Sequence, residues 1–180
     1  MSTIKKIVVT GPESTGKSQM SAYLAAYFNT VFVPEFARQY LENQNGKYVQ
    51  EDLLKIAKGQ ITSENKFIQQ ANKILICDTD AIVLKIWSEV KYGNCNKEIL
   101  QLIKQQQYDF YLLMDIDLPW EYDALREAPD LQQRRYLMQL YQQELEKSKM
   151  PFAIIKGKND ERKKNAILQL NQYLKLHATK

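Results

Sequence analysis

The sequence predicts an open α/β domain, a five-stranded parallel sheet with helices on both faces. Two observations carry this. Five short apolar runs, at 4–10, 30–33, 73–77, 109–114 and 152–155, alternate with segments whose apolar residues recur at helical spacing. That alternation is the mark of crossover units. The first run also leads straight into Gly11-Pro12-Glu13-Ser14-Thr15-Gly16-Lys17-Ser18, a glycine-bracketed turn followed by helical sequence. At 180 residues the chain suits one domain, 1–180, and can bury a sizeable core.

In order, residues 4–10 form a strand buried on both faces, and 17–28 a helix with Met20, Leu24 and Phe28 on one side. The β-branched and aromatic run 30–33 is a strand ended by Pro34. Helix resumes over 35–42, breaks at the Asn- and Gly-bearing stretch 43–47, and returns over 50–72 with Glu51 and Asp52 in its first turn. The third strand, 73–77, runs into Asp78, and a helix then extends to a turn at Gly93-Asn94. A short helix over 97–107 precedes the fourth strand, 109–114. Residues 117–130 are polar, carry Pro119 and Pro129, and read as a loop or lid. A helix over 131–147 presents Leu131, Met138, Tyr141 and Leu145 on one face and ends before Pro151. The last strand, 152–155, is followed by a helix over 160–176 with Ile167, Leu170 and Leu174 inward.

Ligands of open α/β sheets sit at the carboxyl ends of the strands, so the residues leaving each strand carry the chemistry. The first strand leaves into G-x-x-x-x-G-K-[ST]. Gly11 and Gly16 allow the tight turn that aims the N–H groups of Glu13, Ser14 and Thr15 at a polyphosphate. Lys17 reaches the β- and γ-phosphates, and Ser18 can ligate Mg²⁺. The cofactors are therefore ATP and Mg²⁺. The third strand leaves into Asp78-Thr79-Asp80, where Asp78 can hold the metal opposite Ser18. Asp80 reads as a substrate ligand or as the cap of the next helix. The second strand leaves into Pro34-Glu35-Phe36-Ala37-Arg38. Glu35 is the candidate base for an acceptor hydroxyl, against the alternative of a carboxylate favoured at a helix start. Arg38, one turn on, can bind acceptor or phosphate. A lid over 117–135 would bring a charge-stabilising arginine, with Arg126 first and Arg134 and Arg135 as alternatives.

Composition narrows the class. A net charge of +4 is no more than a phosphate site requires, and neither a recognition motif nor a concentrated basic stripe marks a nucleic-acid partner. The Arg134-Arg135 and 162–164 basic clusters read as lid and helix surface. Cys77 and Cys95 have no metal-ligand spacing, and the one histidine, His177, stands apart from every motif. No apolar run is long enough to span a bilayer or serve as a leader, so a cytoplasmic protein is expected. Nothing in the chain sets an oligomeric state.

The sequence resembles the ribosylnicotinamide kinase domain of NadR-type proteins, a branch of the P-loop nucleoside kinases. The resemblance runs through G-P-E-S-T-G-K-S, Phe28-Asn29-Thr30, Glu35-Phe36-Ala37-Arg38, Gly59-Gln60 and Asp78-Thr79-Asp80 to Trp120, Asp123, Leu125, Arg126 and Pro151. It implies a helical lid and ATP-dependent phosphorylation of the 5′-hydroxyl of a small nucleoside, nicotinamide riboside, giving nicotinamide mononucleotide. Two departures stand out. A single histidine leaves no H-x-G-H motif for adenylyl transfer. Where the family site stacks the nicotinamide ring between aromatics, this chain has Pro34 and Lys66, with Phe36, Phe67 or Tyr40 as substitutes. The competing function is a P-loop ATPase or GTPase acting as a switch. The GTPase form lacks its N-K-x-D motif, since Asn72-Lys73-Ile74-Leu75 and Asn96-Lys97-Glu98-Ile99 carry no Asp.

Overall fold

The apolar runs become strands and the helical-period segments become helices. In the computed structural model, which describes residues 4–176, these are β1 (Lys5–Thr10), α1 (Lys17–Tyr27), β2 (Phe32–Val33), α2 (Phe36–Asn43), α3 (Gln50–Phe67), β3 (Ile74–Asp78), α4 (Ala81–Tyr92), α5 (Lys97–Gln105), β4 (Phe110–Met114), α6 (Leu131–Lys147), β5 (Phe152–Ile155) and α7 (Asn159–Leu176). His177 lies outside the described residues.

The five strands pair in parallel in the order β2-β3-β1-β4-β5. β1 is central, in register with β3 from Lys5↔Ile74 to Val9↔Asp78 and with β4 from Ile7↔Phe110 to Thr10↔Leu113. From β1 the chain travels to β2 on one side, and from β3 it crosses back to β4 on the other. Right-handed crossovers in opposite directions place their helices on opposite faces. Successive side chains of each strand then enter different cores. Ile7, Val9, Ile76 and Leu112 pack with Leu24 of α1 and Leu170 of α7. Val8, Leu75, Cys77, Tyr111 and Leu113 pack with Ile86 of α4 and with Met138, Tyr141 and Leu145 of α6. Both faces are covered, so the central strands carry continuous apolar runs. The reversal of travel between β3 and β1 opens a crevice at their carboxyl ends.

Helix starts follow their caps. Asp80 accepts from the Ile82 N–H at 3.2 Å, Asn96 from Glu98 at 2.8 Å, and Asp130 from Gln133 at 2.9 Å. Several boundaries differ from the sequence-based ones. α3 ends at Phe67 and tightens into a 3₁₀ turn over Ile68–Gln70. β3 starts at Ile74 because Lys73, at φ 63°, cannot continue a strand. Residues 115–130 are irregular, and the helical part of the 117–135 stretch is the first turn of α6. On α6 the Leu131 side chain is exposed, and Arg134 takes the inward place ahead of Met138, Tyr141 and Leu145. Among the described residues no helix is long and apolar enough to cross a membrane.

Candidate functional site

The turn after β1 is shaped by three left-handed residues, Gly11 at φ 135°, Ser14 at φ 57° and Gly16 at φ 77°. A Cβ on Gly11 would lie 2.7 Å from the Met114 carbonyl oxygen, so only glycine lets the loop pass the end of β4. The Thr15 hydroxyl and the Lys17 ammonium both donate to the Pro12 carbonyl, at 2.8 and 2.9 Å. No side chain caps α1. Its first N–H groups therefore stand open beside Lys17, the arrangement that receives an anion.

Across the crevice, Asp78 closes β3. It is 1% exposed, and among the described residues no donor reaches its Oδ1. Burial, then the charge of Glu35, push its pKa up to about 6, while the Ser18 hydroxyl, Lys17 and Arg38 pull it back. A buried carboxylate oxygen without a donor, next to a hydroxyl at the mouth of the loop, is an incomplete set of hard oxygen ligands. Ser18 and Asp78 thus fit a Mg²⁺ ion that completes its shell with phosphate and water.

Glu35 occupies the N-cap position of α2 but makes no side-chain cap, so its carboxylate lines the cleft instead of serving the helix. α3 holds it there. The Gln60 side-chain oxygen accepts from the Phe36 N–H at 2.9 Å. A Cβ on Gly59 would fall 2.2 Å from the Phe36 ring, so this glycine lets α3 close on α2. Arg38 is half-exposed and paired with Asp123 at 2.8 Å.

Residues 117–130 arch over the loop and are tied to it. Glu13 accepts from the Glu127 N–H at 3.0 Å and from the Ala128 N–H. The Ser14 hydroxyl donates to the Pro119 carbonyl at 3.2 Å and accepts from the Glu121 N–H at 2.9 Å. Arg126 donates to Ser14 Oγ at 3.3 Å and to the Glu121 carbonyl. At the far end Lys91 pairs with Glu127 at 2.8 Å. Beneath this arch runs a cleft of about 850 Å³. Its lining combines the phosphate loop, Glu35, Arg38 and Arg126 with apolar side chains from Leu41, Val83, Ile86, Trp87, Leu137 and Tyr141.

The structure therefore brings Gly11, Glu13, Ser14, Thr15, Gly16, Lys17, Ser18, Glu35, Arg38 and Arg126 to one cleft, with Asp78 buried behind it. It does not bring Asp80. That carboxylate is 2% exposed, caps α4, and accepts from the Tyr111 hydroxyl at 2.8 Å. The cavity it lines holds about 10 Å³, room for one water and no nucleoside. The helix-cap alternative is the correct one. The Glu13 carboxylate serves the arch, leaving only its backbone for phosphate. Phe36, Phe67 and Tyr40 do not line the cleft; its aromatic members are Trp87 and Tyr141. Arg134, expected on the lid, and Arg162, expected on a helix surface, are both buried, at 2% and 4% exposed. Their signal was in the sequence: Arg134, Met138, Tyr141 and Leu145, like Arg162, Ala166, Leu170 and Tyr173, share the inward face of one helix.

Burial pushes the Asp80 pKa up to about 7. Between its unfolded range near 4 and this value the folded protein holds the extra proton, so stability falls as pH rises through that window. Asp80→Asn keeps the cap and removes the titration. Thermal melts should show its Tm gaining on the unsubstituted protein from pH 4 to 7 and staying ahead above that. A gain that shrinks with pH would contradict the assignment.

A family model for an AAA domain matches residues 6–162. The chain belongs to this AAA-domain family. It is homologous to the trifunctional NAD biosynthesis/regulator protein NadR of Escherichia coli strain K12, 27% identical over 153 residues, which are 83% of this chain and 37% of that protein. NadR of Salmonella typhimurium is 26% identical over 157 residues, 85% of this chain and 38% of the relative. The chain thus spans little more than a third of the curated relatives it matches. A solved NadR structure in complex with NAD and AMP-PNP superposes with a TM-score of 0.77 at 23% identity, covering 94% of this chain and 49% of that one. Thymidylate kinase from Ehrlichia chaffeensis superposes at 0.64 and 17% identity, covering 96% and 98%. The fold is that of the P-loop kinases, and the NadR-type resemblance seen in the sequence is borne out.

Proposed function

We propose that the protein is an ATP-dependent kinase that phosphorylates the 5′-hydroxyl of a small nucleoside, nicotinamide riboside first, to give nicotinamide mononucleotide in the cytoplasm as a step of NAD biosynthesis. One observation carries this: a single cleft is lined both by a phosphate loop and by apolar and aromatic side chains, and Glu35 lines that same cleft. A switch ATPase has no use for such a lining. The homologous NadR proteins are named for NAD biosynthesis, and one NadR structure of the same fold holds NR. Residues 1–180 act as one domain with 117–135 as its lid, and the partner is a small molecule, not nucleic acid or membrane.

The chain's own residues suffice for positioning and charge. The backbone of 13–18 and Lys17 hold the triphosphate. Trp87 and Tyr141 offer ring faces for an aromatic base. Glu35 accepts the hydroxyl proton as that oxygen attacks the γ-phosphorus. The bond to the β–γ bridging oxygen breaks and ADP leaves. Lys17 and Arg126 stabilise the charge spread over the transferred oxygens. Ser18 and Asp78 would hold Mg²⁺, which would supply further neutralisation of the triphosphate charge. Asp123 and Arg38 keep the arch closed on the acceptor side, and closure excludes the water that would hydrolyse ATP.

The test is turnover with ATP against a panel of ribosides and deoxyribosides, with products identified by mass. A phosphorylated nucleoside is expected, with nicotinamide riboside the best acceptor. ADP and free phosphate at the same rate with every nucleoside, or with none, would leave a plain ATPase.

A further inference from the structure

Two buried guanidinium groups reach the phosphate loop from outside the cleft. From α7, Arg162 Nη2 donates to the Thr15 carbonyl at 3.0 Å and to the Asp115 carbonyl at 2.7 Å. Its Nη1 donates to the Gly157 carbonyl at 2.9 Å and pairs with Asp117. From α6, Arg134 Nη2 donates to the Ser14 carbonyl at 3.3 Å, and both terminal nitrogens reach the Leu118 carbonyl at 3.2 Å. Successive carbonyls of one tight turn are thus gripped from behind by separate helices.

The peptide unit is planar and trans, so its C=O and the next N–H point in opposite directions. Drawing the Thr15 carbonyl away from the cleft turns the Gly16 N–H toward it, and drawing the Ser14 carbonyl away does the same for Thr15. Among the described residues, no acceptor takes the N–H groups of Gly16, Lys17 or Ser18. Without the grips, the left-handed residues Ser14 and Gly16 could relax and their N–H groups turn aside.

We propose that Arg162 and Arg134 are positioning residues for the triphosphate, holding the carbonyls of Thr15 and Ser14 outward so that the phosphate-binding N–H groups are aimed before ligand arrives. Arg162 is the stronger of the two. It joins the loop to the end of β4 through Asp115 and Asp117, and to the turn before α7 through Gly157. Lysine cannot replace it, because one ammonium cannot span three carbonyls and a carboxylate at once. Pre-aimed donors bind an anion without the cost of ordering the loop.

This rests on the assignment of residues 11–18 as a triphosphate cradle, and binding measurements separate it from the kinase assignment. The affinities of ATP, inorganic tripolyphosphate and nicotinamide riboside are measured by calorimetry at 20 °C on the wild type, Arg162→Lys and Arg134→Lys. Arg162→Lys should bind ATP and tripolyphosphate about tenfold or more weakly, with nicotinamide riboside affinity unchanged; Arg134→Lys should show a smaller loss of the same kind. Triphosphate affinities equal to wild type, or a parallel loss of triphosphate and nucleoside, would overturn the proposal. Should Arg162→Lys fail to fold, Asp117→Asn removes the carboxylate that anchors the guanidinium and must show the same selective loss. A wild type that binds tripolyphosphate yet phosphorylates no nucleoside would refute the kinase assignment and leave this one standing.

Discussion

Glu35→Gln is expected to slow phosphoryl transfer by about 10²- to 10⁴-fold, the range lost with a positioned general base, while ATP binds as before. The carboxylate lines the cleft and makes no cap hydrogen bond to α2, so its replacement by glutamine costs the helix only the weak attraction of a charge for the helix dipole. What holds it is the backbone bond from Phe36 to Gln60 at 2.9 Å, which glutamine at position 35 leaves intact. The variant should therefore keep its Tm and its ATP dissociation constant. Single-turnover transfer at saturating ATP separates chemistry from binding. Transfer at the wild-type rate would remove Glu35 from the role of base.

Lys17→Ala should lower kcat by about 10²- to 10³-fold, comparable to the loss of one charge-stabilising donor, and weaken ATP as well. In this structure the ammonium rests on the Pro12 carbonyl at 2.9 Å, a bond that the Thr15 hydroxyl duplicates at 2.8 Å. Loop geometry therefore survives the substitution, and the loss falls on the phosphates. Steady-state kinetics with calorimetric ATP binding check this. A fall in Tm with unchanged kcat would mean that Lys17 braces the loop and does no more. Lys17→Arg should not restore activity, since a planar fork cannot take the place of a compact ammonium at one phosphate oxygen.

The parts of the site that were legible in sequence are those in which local backbone demand and chemistry coincide. Gly11 and Gly16 announce a turn, Lys17 and Ser18 follow at fixed spacing, and Asp78 and Glu35 stand where strands end. Sheet strands were legible because β1, β3 and β4 are buried on both faces, which leaves uninterrupted apolar runs. The buried roles of Arg134 and Arg162 are not legible, because a charged residue in sequence reads as lid or as helix surface. Their helical phase puts them on the buried face, but of the carbonyls that hold them only that of Gly157 is close in sequence, and those of residues 14, 15, 115 and 118 come from other elements. Asp80 was ambiguous for the opposite reason. A carboxylate after a strand serves a cap or a ligand equally well, and its burial, with the Ile82 N–H on one oxygen and the Tyr111 hydroxyl on the other, decides for the cap. The apolar wall of the cleft is not legible in sequence for want of continuity: Leu41, Trp87, Leu137 and Tyr141 come from α2, α4 and α6.

The most direct test of the kinase assignment is ³¹P NMR of the unsubstituted protein with ATP, Mg²⁺ and nicotinamide riboside. The expected spectrum shows the γ-phosphorus signal giving way to a phosphomonoester split by the two 5′ protons, in step with the appearance of ADP. ATP consumed with only inorganic phosphate growing in, at a rate indifferent to the nucleoside, would contradict it.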